Sequence, residues 1–303
     1  MRTLQYSSVV EAKTVRDSAA HPRDTSRFDY HRYQVAQKPK LGQNFLVDEQ
    51  AAHRIVAALG DLAGHTVVEI GAGRGAITGL LAKRAGRVLA IELDHALAEN
   101  LRSRFAPEHV AVVERDIMAF DFASAEADAG GPLRVVGNLP YYITSPIILR
   151  LAASHTALDL AVLMVQREVA DRVTAQPGSR DYGLLSATVQ LYGAAEPLFT
   201  LPPAAFTPAP KVHSTVFRWR FAPRLAELAV DETGFLRFLR QAFAQKRKTL
   251  GNNLRAAGLS PAAAASALAQ AGIDPRTRAE ALPLETLAAL WRGVNRESTG
   301  FPG

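Results

Sequence analysis

Four consecutive residues, Asn138-Leu139-Pro140-Tyr141, carry the most specific chemical signal in the sequence. An amino group on an aromatic base is a poor nucleophile, because its lone pair is delocalised into the ring. The side-chain oxygen of Asn138 and a neighbouring backbone carbonyl, fixed by Pro140, can accept both amino hydrogens and favour a pyramidal nitrogen. Tyr141 can stack on the base and hold it in line with an electrophile. The same four residues would also fit a plain turn with a packed aromatic ring.

A glycine-rich segment, Gly71-Ala72-Gly73-Arg74-Gly75, follows a predicted strand and precedes a predicted helix. Glycines in this position let the backbone turn sharply and let a ligand approach closely. Similar segments bind NAD or FAD, or serve only as tight turns, so this pattern alone does not select a ligand.

Acidic residues at the ends of the next two predicted strands indicate which ligand the glycine-rich segment could bind. Glu92 lies twenty-one positions after Gly71, where a carboxylate can accept hydrogen bonds from both ribose hydroxyls of an adenosine-containing cofactor. Asp116, after the third strand, could accept a hydrogen bond from the amino group of the cofactor's adenine. Alternatively these carboxylates cap the helices that follow them, which suits Asp94 best.

The elements that must position these residues alternate along the chain. Short apolar runs predict buried strands at Thr66–Ile70, Arg87–Glu92, Val110–Glu114, Leu133–Gly137 and Leu158–Val165. Helices are predicted at Ala76–Arg84, His95–Phe105, Ser145–Ala153 and Arg167–Ala175. This alternation predicts a parallel sheet covered on both faces, to which Pro197–Leu201 and Ser214–Phe221 could add an antiparallel pair.

The chain of 303 residues divides into three predicted parts. Residues 1–36 lack periodicity and predict a flexible arm, residues 37–222 hold the α/β domain, and residues 223–303 predict a small all-helical domain. The helical segments of the last part are Phe235–Phe243, Lys248–Ala257, Pro261–Ala271 and Leu284–Val294.

Composition excludes several classes of protein. With 48% hydrophobic and 21% charged residues and no long apolar run, the chain is predicted to be a globular cytoplasmic protein, neither secreted nor embedded in a membrane. The absence of cysteine excludes disulfides, cysteine–zinc sites and thiol nucleophiles. The eight histidines are scattered without ligand spacing, so no metal site is expected.

The net charge of +6 comes from the two ends of the chain. Residues 1–40 hold eight Lys or Arg against four Asp or Glu, and residues 222–303 hold eleven against seven, whereas residues 41–221 hold sixteen against eighteen. A basic surplus favours a polyanionic partner such as nucleic acid, although basic flanks can also serve only solubility.

Six blocks together resemble the ribosomal RNA adenine dimethylases in order and spacing. They are Lys40–Leu46, Glu69–Gly75, Glu92, Asp116, Asn138–Tyr141 and Phe206–Val212. The resemblance runs from about Lys40 to Val294. It implies a Rossmann-like class I methyltransferase domain that uses S-adenosylmethionine, followed by a small all-helical C-terminal domain.

The resemblance also implies roles for individual residues. The cofactor site would be formed by Asn44, Leu46, Gly71, Glu92, Asp116 and Asn138. Asn138 would also contact the target amine, and Tyr141 and Phe206 would sandwich a flipped adenine. The basic residues Lys246, Arg247, Lys248 and Arg255 would neutralise RNA phosphates, unless they form a merely solvated helix face.

The activity implied is dimethylation of N6 on two adjacent adenosines in the 3′-terminal hairpin of 16S ribosomal RNA. The enzyme would act as a monomer on the small ribosomal subunit or its precursor, and would also take part in assembly. One alternative is a sibling enzyme that dimethylates one adenine of large-subunit RNA and confers antibiotic resistance. The others are an NAD-dependent dehydrogenase and an assembly factor whose binding matters more than its catalysis.

Overall fold

The computed structural model describes residues 43–297, and a seven-stranded sheet lies at its centre. The strands are β1 (Phe45–Leu46), β2 (Thr66–Ile70), β3 (Arg87–Glu92), β4 (Val110–Glu114), β5 (Leu133–Asn138), β6 (Leu158–Gln166), β7 (Gly193–Leu201), β8 (Phe206–Thr207) and β9 (Ser214–Phe221). The sheet order is β4-β3-β2-β5-β6-β9-β7, and β1 pairs with β8 separately. The strands from β4 to β6 are parallel, whereas β9 is antiparallel to both of its neighbours.

The path of the chain creates a place for a ligand. From β2 the chain moves outward to β3 and β4, and it then returns to the other side of β2 to form β5. The carboxyl ends of β2 and β5 therefore flank a point where the strand order reverses. Ligands of open α/β sheets bind at such points.

Helices connect the strands and form the C-terminal part. They are α1 (Glu49–Ala58), α2 (Thr78–Leu81), α3 (His95–Arg104), α4 (Phe122–Ala129), α5 (Thr144–Ala153), α6 (Arg167–Val173), α7 (Leu184–Tyr192), α8 (Glu232–Ala242), α9 (Leu250–Ala256), α10 (Pro261–Gln270) and α11 (Leu284–Glu297). Side-chain caps define several of their starts. Asp48 accepts a hydrogen bond from the Ala51 amide at the start of α1, and Asp94 accepts one from the Leu97 amide at the start of α3. The capping role predicted for Asp94 is thus confirmed.

The predicted strands agree closely with the structure. All five parallel strands are confirmed, and β5 and β6 each continue one residue further, to Asn138 and Gln166. The antiparallel pair is confirmed as well, although β7 begins earlier, at Gly193. The helix predicted at Ala76–Arg84 is shorter than expected, because the amides of Arg84 and Ala85 both donate to the Leu81 carbonyl and close the chain into a turn.

Two hydrophobic clusters cover opposite faces of the sheet, since successive strand residues point to opposite sides. One cluster contains Val68 of β2 and extends to Trp291 and Val294 of α11. The other contains Val67 of β2 and includes buried residues of α1, β1 and β8. The C-terminal helices therefore complete the core on one face, and the N-terminal elements complete it on the other.

The predicted domain boundary falls between β9, which ends at Phe221, and α8, which begins at Glu232. Several hydrogen bonds join the regions on either side, among them one of 2.8 Å from the Tyr192 hydroxyl to Glu232 Oε1. The Gly178 amide donates to the Glu280 carbonyl over 2.7 Å, and Lys246 Nζ donates to the Arg180 carbonyl over 2.8 Å. The predicted arm, residues 1–36, lies outside the described residues. None of the helices in the described range combines the length and apolar character needed to cross a membrane.

Candidate active site

An open cleft of about 1110 Å³, including its mouth, lies at the carboxyl ends of β2, β3 and β5. Five segments form the wall: residues 43–46, 69–77, 91–93, 115–117 and 138–143. All six predicted cofactor residues line it, namely Asn44, Leu46, Gly71, Glu92, Asp116 and Asn138.

The glycine loop forms the part of the wall next to β2. Gly71 and Gly73 have φ angles of 69° and 55°, which favour glycine because a side chain at positive φ is strained. A Cβ on Gly73 would lie only 3.2 Å from the Phe45 ring. The guanidinium of Arg74 lies over the same Phe45 ring, 4.3 Å from its centroid. The N-terminal segment and the glycine loop are therefore packed directly together.

Glu92, at the end of β3, is 4% exposed and fixes the glycine loop by hydrogen bonds. Its Oε2 accepts a hydrogen bond from the Gly73 amide over 2.8 Å. Its Oε1 accepts from the amides of Leu93 and Asp94 over 2.8 and 2.9 Å. A carboxylate has about four lone-pair positions, so these three bonds leave capacity for a ligand hydroxyl.

Asp116 caps a short turn and also lines the cleft. Its Oδ1 accepts a hydrogen bond from the Met118 amide over 2.9 Å and caps a short 3-10 turn, Ile117–Ala119. The residue also lines the cleft, and its Oδ2 receives no hydrogen bond from any residue between 43 and 297. The capping alternative is thus confirmed for one oxygen, and the other can face a ligand.

Asn138, the last residue of β5, has a fixed side-chain amide. Its Nδ2 donates to the Asn44 carbonyl over 2.8 Å, so the N-terminal segment holds one side of the amide group. Its Oδ1 accepts no hydrogen bond within the described residues. The acceptor needed for an amino group is therefore oriented by the protein but not used by it.

Tyr141 is held at its backbone and at its hydroxyl. Thr144 Oγ1 donates to the Pro140 carbonyl over 2.9 Å, which fixes the turn that contains Tyr141. The Tyr141 and Ser214 hydroxyls share a hydrogen bond of 3.1 Å. Neither Thr144 nor Ser214 was assigned a role from the sequence, because these contacts join segments whose closeness depends on the fold.

Glu69 also belongs to this site, although its position in the sequence indicates no specific role for it. It is 2% exposed, lines the cleft, and accepts a hydrogen bond from Thr78 Oγ1 over 2.6 Å. Burial raises the pKa of its carboxyl from 4.5 to about 8, although the bonds from Thr78 oppose that rise. A carboxylate inside the apolar strand Thr66–Ile70 was the signal that could have revealed it, since Glu is seldom fully buried without a partner.

Phe206 lies beside the cleft wall and not in it, because β8 pairs antiparallel with β1 and sets Phe206 opposite Leu46. Its side chain is 3% exposed and belongs to the hydrophobic cluster of that sheet face. The ring is paired with Leu46, which lines the cleft, and the predicted stacking on a base opposite Tyr141 would require the ring to move.

Comparison with known proteins agrees with this geometry. The model of the family described as "Ribosomal RNA adenine dimethylase" matches residues 35–293. The chain belongs to this family. The chain is 61% identical over 262 residues to ribosomal RNA small subunit methyltransferase A of Acidobacterium capsulatum, covering 86% of this chain and 92% of that protein. It is 53% identical to the protein of the same name from Koribacter versatilis, over 86% of this chain and 95% of the relative.

Solved structures extend the likeness to the fold. A dimethyladenosine transferase from Plasmodium falciparum matches with a TM-score of 0.73 and 23% identity, over 85% of this chain and 99% of that one. The 23S rRNA methyltransferase ErmE matches with a TM-score of 0.64 and 25% identity, over 83% and 100%. The fold is therefore the Rossmann-like methyltransferase sheet followed by C-terminal helices.

Ribosomal RNA adenine dimethylases use S-adenosylmethionine, and the residues of this cleft fit that cofactor. Two carboxylates, Glu92 and Asp116, offer acceptors to ribose hydroxyls and to an amino-purine. Leu93 and Tyr142, 48% and 40% exposed, give the same wall an apolar surface that a purine ring could cover. The glycine loop leaves room beside them for the methionine part.

The predicted RNA-binding residues belong to the C-terminal part of the chain and do not line the cleft. Helix α9 begins at Leu250 and not at Lys248, because Thr249 caps it by accepting a hydrogen bond from the Asn252 amide. Lys246, Arg247 and Lys248 are therefore exposed in the turn between α8 and α9, which corrects the predicted helix start. Arg255 is exposed on α9, where its guanidinium donates to Asn252 Oδ1.

Proposed function

We propose that this dimethylase transfers methyl groups from S-adenosylmethionine to N6 of two adjacent adenosines in the 3′-terminal hairpin of 16S ribosomal RNA, two to each adenosine. The observation that carries the proposal is the side-chain amide of Asn138, whose Nδ2 is fixed by the Asn44 carbonyl while its Oδ1 lacks a partner within residues 43–297. An amide held in this way presents an acceptor to an amino group. Membership of the dimethylase family supports the same chemistry.

The protein's part in the reaction follows from the weakness of the nucleophile. S-adenosylmethionine, when bound, supplies an electrophilic methyl group on a sulfonium. Asn138 Oδ1 and the backbone carbonyl of Leu139 accept the two amino hydrogens and make the nitrogen lone pair available. No strong general base is required, since the amine becomes acidic once it is methylated and its proton can then pass to water.

Tyr141 orients the base, because a flat aromatic ring in the cleft wall can stack on adenine and fix its plane. Asn44 and Leu46 would hold the cofactor from the N-terminal side, and Gly71 would lie next to its methionine part. Glu92 would accept a hydrogen bond from a ribose hydroxyl, and Asp116 Oδ2 would accept one from the adenine amino group.

The small ribosomal subunit, or its precursor, is the proposed partner. The closely similar relatives bear the name of a small subunit methyltransferase, whereas the match to the 23S enzyme has only 25% identity. Lys246, Arg247, Lys248 and Arg255 would neutralise phosphates of the RNA outside the hairpin. We further propose that the protein acts as a monomer in the cytoplasm, where its substrate is assembled.

An experiment on Asn138 tests the proposal. Undermethylated small and large ribosomal subunits are incubated with methyl-labelled S-adenosylmethionine and wild type, Asn138→Ala or Asn100→Ala, followed by nucleoside analysis. We expect N6,N6-dimethyladenosine only in small-subunit RNA, and a loss of rate of about a hundredfold or more for Asn138→Ala. Exposed Asn100 lies on α3 outside the cleft wall, so Asn100→Ala should match wild type.

The outcomes separate the alternatives. Label confined to large-subunit RNA would replace the proposal by the resistance-enzyme hypothesis. Transfer to neither RNA by a protein that binds S-adenosylmethionine would contradict the proposed substrate. Full activity of Asn138→Ala would contradict the proposed role of the amide, while leaving the reaction intact.

A further inference from the structure

Ser214 is the residue whose side-chain hydroxyl joins the proposed base-binding ring to strand β9 of the central sheet. Its Oγ lies 3.1 Å from the Tyr141 hydroxyl, and the residue is 1% exposed. Ser214 itself does not line the cleft.

The two residues differ in how firmly the backbone holds them. Tyr141 lies in a three-residue 3-10 turn, Tyr141–Ile143, after the end of β5. Ser214 begins β9 and pairs with Gln166 of β6 on one side and Leu201 of β7 on the other. A residue paired on both sides in a sheet is a rigid anchor, whereas a ring on a single turn can pivot about its two side-chain torsions.

We propose that Ser214 is a positioning residue that sets the orientation of the Tyr141 ring through the bond between their hydroxyls. This inference rests on the proposed function, in which Tyr141 stacks on the target adenine. Stacking favours transfer only when the ring plane places the base nitrogen in line with the methyl group. With the Tyr141 hydroxyl attached to the sheet, the ring reaches that plane before the base arrives.

The alternative is that the bond only satisfies two polar groups near the core. A bond with that role would stabilise the fold, and its loss would affect the rate only through the fraction of folded enzyme. A double-mutant cycle separates the two roles, because a positioning effect that acts through Tyr141 disappears once the Tyr141 hydroxyl has been removed.

The test compares Ser214→Ala, Tyr141→Phe and the double variant on undermethylated small subunits at saturating S-adenosylmethionine. We expect each single variant to lower kcat by roughly threefold to tenfold, the range that one net hydrogen bond supports. The double variant should be no slower than Tyr141→Phe alone. The affinity for S-adenosylmethionine, measured by calorimetry, should stay unchanged in all three.

Thr215→Val provides a matched control. This variant removes the hydrogen bond of 2.9 Å between the hydroxyls of Thr215 and Thr200, which does not involve Tyr141. It should lower the melting temperature about as much as Ser214→Ala while leaving kcat unchanged.

Additive losses in the double variant, or a Ser214→Ala enzyme with the kcat of Thr215→Val, would overturn the inference. Failure of the proposed function is distinguishable, because in that case wild type itself would transfer no methyl groups to the small subunit.

Discussion

Glu69 is a carboxyl group held in an environment that disfavours its charge. It lies inside β2, hydrogen-bonded by Thr78 and close to the carboxylate of Glu92. Burial and that neighbour raise its pKa to about 8, so the folded protein keeps the carboxyl protonated at neutral pH. The residue thus couples the stability of the cleft wall to pH.

The direction of this coupling follows from proton binding. The unfolded chain releases the Glu69 proton near pH 4.5, and the folded protein releases it near pH 8. The contribution to stability is therefore complete below about pH 4.5 and is lost as the pH rises through about 8. We expect Glu69→Gln to remove this dependence, since the amide stays neutral and can still accept the bond from Thr78.

Thermal unfolding from pH 6 to pH 9 measures the effect. The melting temperature of wild type should fall relative to that of Glu69→Gln as the pH rises. The gap, meaning the difference between the two melting temperatures, should change by about 3 °C or more. Asp121→Asn is a suitable control, because hydrogen bonds from Ser124 and Ala123 hold the pKa of that carboxyl below its ordinary value. Its gap from wild type should not change in this range, and a constant gap for Glu69→Gln would contradict the prediction.

The pair formed by β1 and β8 is the element that most affects how the cleft is built. Its two registered pairs, Phe45 with Thr207 and Leu46 with Phe206, place the N-terminal segment beside the glycine loop. The same segment supplies the carbonyl of Asn44 that orients Asn138. A short strand pair thereby supports both the cofactor wall and the proposed catalytic amide.

Replacement of Phe206 by Leu tests what this pair does. We expect Phe206→Leu to keep most of the apolar contact with Leu46, to lower stability by about 1 kcal/mol, and to keep kcat within about twofold of wild type. Circular dichroism and methyl transfer to small subunits measure the two quantities. An unchanged melting temperature together with a large loss of kcat would support the predicted stacking of the ring on the base.

The elements differ in how far the sequence could predict them. The five parallel strands are short runs rich in Val, Ile and Leu, so composition alone marks them, and β2 and β6 are buried along nearly their whole length. Helix α7 was not predicted, because seven of its nine residues are buried and it lacks the polar face that helical periodicity requires.

The site was predictable where it depends on strand ends. Glu92 and Asn138 end two strands, and Asp116 follows a third. The carboxyl ends of these strands meet at one edge of the sheet, and all three residues line the cleft. The burial of Phe206 was not predictable, since it depends on a strand pair joining residues 160 positions apart, such as Leu46 and Phe206. The bond from Ser214 to Tyr141 likewise joins distant segments.

At the scale of the whole molecule, the basic turn between α8 and α9 contributes no residue to the cleft wall. Arg247 and Lys248 are exposed there. Lys83 and Arg84, equally exposed, lie before β3 at the amino-terminal edge of the sheet, opposite the cleft. The chain therefore offers two basic pairs of the same charge, of which only one belongs to the proposed RNA surface.

We expect the double variant Arg247→Ala with Lys248→Ala to raise KM for the subunit and to reduce the slope of log KM against log salt concentration by about 1 to 2. Each phosphate contact releases counterions when the RNA binds, so the loss of two contacts makes binding depend less on salt. The double variant Lys83→Ala with Arg84→Ala removes the same charge and should keep the wild-type slope. Equal slopes for both double variants would assign the effect to net charge alone.

The hydrophobic cluster that extends from Val68 of β2 to Val294 of α11 has a consequence for synthesis. A nascent chain leaves the ribosome from its amino end, so α7, α8 and α10 emerge before α11, which packs against all three, can cover their apolar faces. That part of the cluster stays open until α11 has been made. Independent domains close in turn as they are made, whereas this core can close only when α11 is released.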